Sequence, residues 1–168
     1  MADTITRERR SANMAAIKGS DTKPELAVRR LLWDMGVGYR LHVKGLPARP
    51  DIVMKGRRKI ILVHGCFWHR HKNCPFAYTP RSQTAFWEEK FAKNVERDER
   101  NCSALKALGW DVMIVWECEL ADANLLRKRI ILFLDRKPNA WNGRTKSKQR
   151  PGRRKAGPTR KRRVPTGT

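Results

Sequence analysis

The stretch that most constrains this chain is Ile60 to Cys74, which reads I-I-L-V-H-G-C-F-W-H-R-H-K-N-C. Its first four residues form an apolar run rich in β-branched side chains, which predicts a buried strand. The run breaks at Gly65, and the loop that follows carries histidines, cysteines and two aromatic residues. Because a rigid strand can aim the loop after it, this pattern indicates a functional site at a strand end.

The rest of the sequence predicts an α/β sandwich around a mixed sheet. Thr22 and Glu25 form a capping-box pattern, and with Pro24 in the first turn they predict a helix that ends near Gly36. Strands are predicted over residues 39–43, 51–54, 59–64 and 112–116, and further helices over 7–17, 84–108 and 120–134. This order of elements favours a central mixed sheet flanked by helices.

The charge of the chain indicates a polyanionic partner. The formal net charge is +22 over 168 residues, and nucleic acid is the usual partner of such a chain. A membrane surface is the weaker alternative. No apolar run approaches the roughly 20 residues of a transmembrane helix. The composition shifts at Lys137, so we predict a folded domain over residues 1–136 and a basic, disordered tail over 137–168.

The cysteines predict a structural zinc site. The N-terminus has no apolar segment typical of a signal peptide, so we expect a reducing, cytoplasmic compartment in which thiols are free or metal-bound. Three thiolates and one imidazole suit tetrahedral Zn²⁺. The candidate ligands are Cys66, His71, Cys74 and Cys118. Alternatively, the cysteines are small buried hydrophobes and His71 is a loop residue; Cys102, within a predicted helix, is interpreted as an ordinary thiol.

Asp51 is a candidate ligand for a harder cation. It follows Pro50 at the start of a predicted strand, where a carboxylate can hold Mg²⁺ against a phosphodiester. The pair matches the first half of a PD-(D/E)xK nuclease pattern, but the second half is missing, because the chain there reads V-H-G. The backbone carbonyl of Val63 could supply the other ligand. Asp51 could equally be a turn carboxylate at a strand start.

Two histidines and one glutamate complete the candidate catalytic residues. His64 and His69 could orient a water molecule or act as general base or acid. The alternative for His64 is a hydrogen-bonded buried histidine, and for Glu25 it is the capping box alone.

The aromatic residues are assigned to two groups. Phe67 and Trp68 are neighbours in a loop, so we expect at least one to be exposed, where it could stack on bases or wedge between base pairs. We expect three further tryptophans of the folded region to be core residues, namely Trp33, Trp110 and Trp116.

Six stretches carry a joint resemblance to a known family. In chain order they are R-S-A-N-M-A-A-I-K, D-T-K-P-E, L-P-A-R-P-D-I-V, V-H-G-C-F-W-H, F-W-E-E-K-F-A-K-N-V-E-R-D and L-G-W-D-V-M-I-V-W-E-C. Together they resemble the Vsr, or very short patch repair, DNA mismatch endonucleases of bacteria. The resemblance implies a restriction-endonuclease-like three-layer sandwich. It also implies a monomer that nicks one DNA strand beside a T:G mispair, left by deamination of 5-methylcytosine, with catalytic Mg²⁺ and structural Zn²⁺.

The resemblance also implies roles for individual residues. Asp51 matches the catalytic metal-binding aspartate, and Val63 stands where the family offers a backbone carbonyl to the metal. The residues that match the active site beside the scissile phosphate are His64, His69 and Glu25. The zinc ligands match Cys66, His71, Cys74 and Cys118. The aromatics that wedge into DNA at the mismatch match Phe67, Trp68 and Trp87.

The sequence departs from the family pattern in places. The interval from His71 to Cys74 is one residue longer, Val63 replaces a threonine, and the tail after Lys137 has no counterpart. The resemblance further implies a nucleoid-associated protein of the bacterial cytoplasm, with a functional link to a cytosine-5 DNA methyltransferase and repair factors. Two alternatives are a non-catalytic, zinc-containing DNA-binding module and a basic ribosome-associated protein.

Overall fold

A computed structural model describes residues 19–136 of the protein. The helix predicted over residues 7–17 and the basic tail over 137–168 lie outside these residues. The described elements are α1 (Lys23–Asp34), β1 (Arg40–Leu41), β2 (Ile52–Met54), β3 (Lys59–His64), α2 (Thr84–Ala107), β4 (Asp111–Trp116) and α3 (Ala123–Asp135). None of these three helices is both long enough and apolar enough to pass through a bilayer.

The four strands form one mixed sheet in the order β1-β2-β3-β4. β2 pairs antiparallel with β1 and with β3. β3 and β4 pair in parallel, from Lys59 opposite Asp111 to His64 opposite Trp116. β3 has the predicted bounds, because a strand covered on both faces reads as a continuous apolar run. The edge strand β1 is shorter than predicted.

The sheet separates two cores. On one face, α1 and α3 pack against the strands through residues that include Val28, Leu32, Leu126, Ile130 and Phe133. On the other face, α2 contributes Leu105, which packs with Val53, Ile60, Leu62 and Trp110. Helices therefore cover both faces, and the expected three-layer sandwich with a central mixed sheet is confirmed.

The last helix begins later than the sequence predicts. It was expected from Leu120, but Glu117–Ala121 forms a 3-10 turn and α3 starts at Ala123. Asp122 caps α3 by accepting a hydrogen bond from the N–H of Leu125 at 2.9 Å. An aspartate in this position satisfies one of the free N–H groups of the first turn, and it fixes where the helix starts.

The expected burial of the tryptophans is only partly right. Trp33 is 78% exposed, so its assignment to the core is wrong. α1 buries the stripe that contains Val28 and Leu32, and the next residue points roughly 100° away around the helix, into solvent. Trp110 is buried as expected. Trp116 is half-buried and lies beside histidine rings rather than in either core.

A buried ion-pair network lies where β3 and β4 begin. Lys59 is 1% exposed and donates hydrogen bonds to Asp111 Oδ2 at 3.0 Å and to the carbonyl of Arg136 at 2.7 Å. Arg136 donates to the other oxygen, Asp111 Oδ1, at 3.1 Å. The Lys59 ammonium also lies 4.7 Å from the ring centroid of Phe133. This network ties both strands to the end of α3.

Candidate functional site

The four predicted zinc ligands lie together. One donor atom from each of them, a sulfur or a ring nitrogen, lies within 4.8 Å of all the others. His71 Nδ1 is 3.3 Å from Cys118 Sγ and 3.7 Å from Cys66 Sγ. The sheet explains part of this, because Cys66 and Cys118 each come two residues after the paired strand ends His64 and Trp116. Cys74 returns to the cluster through the loop.

The donor set fits a tetrahedral metal. Around Zn²⁺ with bonds of about 2.0–2.3 Å, neighbouring donors are roughly 3.5 Å apart, close to the spacing here. The interval from His71 to Cys74 forms a turn, in which Asn73 has φ +57° and the N–H of Cys74 donates to the His71 carbonyl at 3.4 Å. Burial raises the pKa of the Cys66 thiol to about 12. A cation that binds the thiolate must therefore displace a firmly held proton.

Asp51 directly precedes β2 and lies beside the end of β3. Its Oδ2 accepts a hydrogen bond from the N–H of Val63 at 2.8 Å. Since the N–H and C=O of one strand residue point to the same side, the Val63 carbonyl also faces the Asp51 side. Burial raises the pKa of Asp51; the Val63 hydrogen bond opposes this change and the nearby carboxylate of Glu25 adds to it. Two oxygen donors for a hard cation are thus brought together.

The two catalytic candidates His64 and His69 stack on each other. Their ring centroids are 4.0 Å apart and the ring planes differ by 13°. His69 Nδ1 is hydrogen-bonded to Asp98 Oδ2, on α2. Burial, with the neighbouring His69, lowers the pKa of His64 to about 4, so His64 is neutral at pH 7. Burial alone would raise the pKa of Asp98, but the hydrogen bond and charge of His69 outweigh it and lower that pKa.

Glu25 has more partners than the capping box predicts. The cap itself is present, because Thr22 Oγ1 accepts a hydrogen bond from the N–H of Glu25 at 3.4 Å. Glu25 is 4% exposed, and its carboxylate pairs with Arg29 at 2.9 Å. The same guanidinium contacts Asp21 at 2.5 Å and His42 Nε2 at 3.2 Å. Arg29 therefore neutralises a small acidic group at the edge of the site.

One cleft of about 800 Å³ collects these groups. The predicted residues that line it are Glu25, Asp51, Val63, His64, Trp68 and His69. The lining residues without a predicted role include Lys90, Asn94, Arg97, Asp98, Asn101 and Glu117. Carboxylates, imidazoles and cationic side chains thus converge on one concave surface, which is the arrangement that phosphodiester chemistry needs.

The aromatic residues form a packed cluster beside the cleft. The Phe67 ring lies 5.0–5.5 Å from the rings of four residues, namely Trp68, Tyr78, Trp87 and Phe91. Phe67 and Trp68 are both half-buried, so the expectation that one of them is exposed is wrong. The loop after Gly65 turns as a helix does, with the N–H of His69 donating to the Gly65 carbonyl at 3.1 Å, and both rings pack.

Trp87 is the most enclosed of the aromatics predicted to wedge into DNA. It is 7% exposed and packs against Phe67 and Trp68 within the cluster. Phe86, its neighbour on α2, is 52% exposed. The Lys90 ammonium lies 5.4 Å from the ring centroid of Trp68 and 5.7 Å from that of Trp87. The cluster therefore presents aromatic rings and a cation on the same side as the cleft.

No role was predicted from the sequence for Asp98, Arg29 or His42. Asp98 contacts His69 across 29 positions of the chain, and only the packing of α2 creates this contact. The pairing of Arg29 with Glu25 has a local signal, because residues four apart on a helix are neighbours. His42 gave no such signal, since it reaches Arg29 only through the fold.

Comparison with known proteins gives concordant matches. The sequence model of the family described as DNA mismatch endonuclease Vsr matches residues 2–75. The type II nicking enzyme V.XorIIP of Xanthomonas oryzae pv. oryzae is 44% identical over 135 residues, which are 80% of this chain and 98% of that protein. The DNA mismatch endonuclease Vsr of Escherichia coli K12 is 48% identical over 120 residues, 71% of this chain and 76% of that protein.

Among solved structures, the catalytic domain of the homing endonuclease I-Bth0305I matches with a TM-score of 0.46 and 26% identity, over 67% of this chain and 94% of that chain.

Proposed function

The chain is a DNA nicking endonuclease of the Vsr family, and we propose that its substrate is duplex DNA with a T:G mispair, nicked on one strand with the help of Mg²⁺. The observation that carries the proposal is the cleft in which Asp51, Glu25 and the stacked pair of His64 and His69 converge. Such a mispair arises by deamination of 5-methylcytosine. The reaction would therefore begin very short patch repair of damage at sites modified by a cytosine-5 DNA methyltransferase.

Asp51 and the Val63 carbonyl are the groups that would hold Mg²⁺. The Val63 N–H donates to Asp51 Oδ2 at 2.8 Å and fixes the carboxylate, and no hydrogen bond to the other oxygen is found among residues 19–136, so that oxygen could bind the cation. Bound Mg²⁺ would polarise the scissile phosphate and help to deprotonate a water molecule. The raised pKa of Asp51 supports this role, because a carboxylate that is buried near Glu25 gains from a neutralising cation.

The histidines would manage the protons of the hydrolysis. His64 is neutral at pH 7, so it can accept a hydrogen bond or a proton from the attacking water. The hydrogen bond from His69 to Asp98 holds His69 Nδ1 and leaves Nε2 for the reaction. Glu25, paired with Arg29, lines the same cleft near Asp51 and would complete the group of catalytic residues.

The aromatic cluster would select the mispair. A weakly paired step costs less to unstack than a Watson–Crick step, so a wedge of rings discriminates by the energy of deformation. Phe67 and Trp68 would enter the stack, with the enclosed Trp87 supporting them from below. Lys90 and Arg97 line the same cleft and would contact the DNA phosphates.

The cysteine cluster would hold a structural Zn²⁺. We expect Cys118→Ser to lose the metal and stability together, because the ion joins the loop after β3 to the end of β4. The matched control is Cys102→Ser, since Cys102 is half-buried on α2 and lies outside the cluster. Elemental analysis would count the zinc and thermal unfolding would report stability. An equal zinc content in both variants would exclude this site.

A cleavage assay tests the function directly. End-labelled duplexes that differ only in one pair, T:G against T:A and C:G, are incubated with the protein and Mg²⁺ or with EDTA. We expect one nick, in one strand, only with T:G and only with Mg²⁺. Binding of T:G DNA without any nick would favour a non-catalytic DNA-binding module, and equal nicking of all duplexes would remove the mismatch specificity. Size-exclusion chromatography with light scattering tests the proposed monomer.

A further inference from the structure

Trp116 lies between the metal cluster formed by the cysteines with His71 and the stacked histidines of the cleft. It ends β4 directly opposite His64, the last residue of β3. Its backbone N–H donates to Glu119 Oε2 at 2.8 Å, and Glu119 is in turn paired with Arg129 of α3. The backbone of Trp116 is therefore fixed by the sheet on one side and by the following 3-10 turn on the other.

The indole of Trp116 contacts one histidine of the metal cluster and one histidine of the cleft. It stacks on His71 with centroids 4.3 Å apart and an interplanar angle of 11°. It meets His64 edge to face, at 5.4 Å and 79°. Because His64 stacks in turn on His69 at 4.0 Å, one continuous series of rings runs from the metal cluster to the cleft.

We propose that Trp116 is a positioning residue of the nicking centre. Its indole holds the His64 imidazole against His69, so the stacking of these two rings depends on the metal cluster. The proposal rests on the proposed function, in which both histidines handle protons. The role follows from contact, since an imidazole confined by one ring face and one ring edge cannot rotate without losing both contacts.

The geometry also predicts the direction of the coupling. His71 is a candidate ligand, so the cluster fixes the ring on which the indole stacks. A displaced indole would leave the His64 ring free to tilt away from His69. Small misplacements of a catalytic group cost large factors in rate, while the surface that binds DNA is unaffected.

The test compares Trp116→Leu, Trp116→Phe and the control Trp110→Leu. Trp110 precedes the other end of β4 and is buried in the core that contains Leu105, far from the histidines. Each protein is assayed at a temperature where circular dichroism shows it to be folded. The measurements are the single-turnover nicking rate on T:G DNA, the Kd for the same duplex, and the rate at which zinc is released to a chelator.

We expect Trp116→Leu to lower the nicking rate about 10- to 100-fold, with the Kd unchanged and zinc released faster. Trp116→Phe should recover most of the rate, because it keeps a flat ring. Trp110→Leu should lower the melting temperature and change neither the rate nor zinc release.

Two results would overturn the role of Trp116: an unchanged rate in Trp116→Leu, or an equal loss of rate in folded Trp110→Leu. Wild-type protein that leaves T:G DNA intact would instead overturn the proposed function, and the catalytic part of this inference with it.

Discussion

β3 and β4 run side by side, and their two ends differ in how charge is handled. Where the strands begin, Asp111 has a cation on each carboxylate oxygen, from Lys59 at 3.0 Å and Arg136 at 3.1 Å. Where β3 ends, Asp51 accepts one backbone hydrogen bond and lies near a second carboxylate, Glu25, and its pKa is raised. Asp111 is thus paired on both oxygens, whereas at Asp51 burial and the Glu25 carboxylate outweigh Arg29 and His42 among the described residues.

The comparison separates stability from chemistry within one pair of strands. A buried charge whose partners are all present contributes to a specific fold and is inert. A carboxylate left short of positive charge in an open cleft is suited to bind a cation. Substitutions where β3 and β4 begin should therefore lower stability, and substitutions at the cleft should lower the nicking rate.

The largest effect is expected from Asp51→Asn. Loss of a metal ligand that costs about 4 kcal/mol of transition-state stabilisation lowers the nicking rate about 1000-fold. DNA affinity by fluorescence anisotropy and the melting temperature should stay near wild type. Asp34→Asn, which removes an exposed carboxylate of α1, is the matched control. A variant at Asp51 that still nicks at the wild-type rate would rule out its role.

The mirror experiment is Lys59→Met at the other end of the strands. It leaves Asp111 buried with one cation fewer, so we expect the free energy of unfolding to fall by about 3–5 kcal/mol. Urea denaturation measures this loss, and the double variant Lys59→Met/Asp111→Leu should recover part of it. The nicking rate of the folded protein should not change. A rate that falls while the fold persists would show that the two ends are not independent.

Asp98→Asn sharpens the comparison inside the cleft. Asn keeps the shape but loses the charge that orients His69, so we expect a 10- to 100-fold lower nicking rate, about the size typical of second contacts to catalytic groups. We also expect a small loss of stability, because the pair with His69 lowers the pKa of Asp98 in the folded protein and this contribution is lost in the variant. Asp135→Asn, at the end of α3 and far from His69, serves as the control. A wild-type nicking rate in Asp98→Asn would show that the Asp98 carboxylate does not position His69.

The smallest effect on the reaction itself is expected from deletion of residues 144–168. This segment carries eleven Lys and Arg residues. The last described residue, Arg136, is held where β3 and β4 begin, away from the cleft. We expect weaker DNA binding and a smaller dependence of Kd on salt, with an unchanged single-turnover rate. An identical salt slope would mean that the tail does not contact DNA.

Prediction from sequence succeeded where one local pattern determined the outcome. The apolar runs gave β3 and β4, and the spacing of Cys66, His71 and Cys74 led to a cluster that the fold brings together. It failed where orientation depended on packing. Trp33 is next to the inward stripe of α1 rather than in it, and Asp98 meets His69 only because α2 crosses the loop after β3.

The in-register pairing of β3 and β4 has a consequence for which length changes this protein can tolerate. A single inserted residue in β4 would turn every later side chain to the opposite face, so Trp116 and Cys118 would leave their partners in one event. The loop between Cys66 and Cys74 has no strand register to keep, and it turns locally at Asn73, where φ is +57°. Length variation is therefore expected to collect in the loops, while the two strands keep a fixed count.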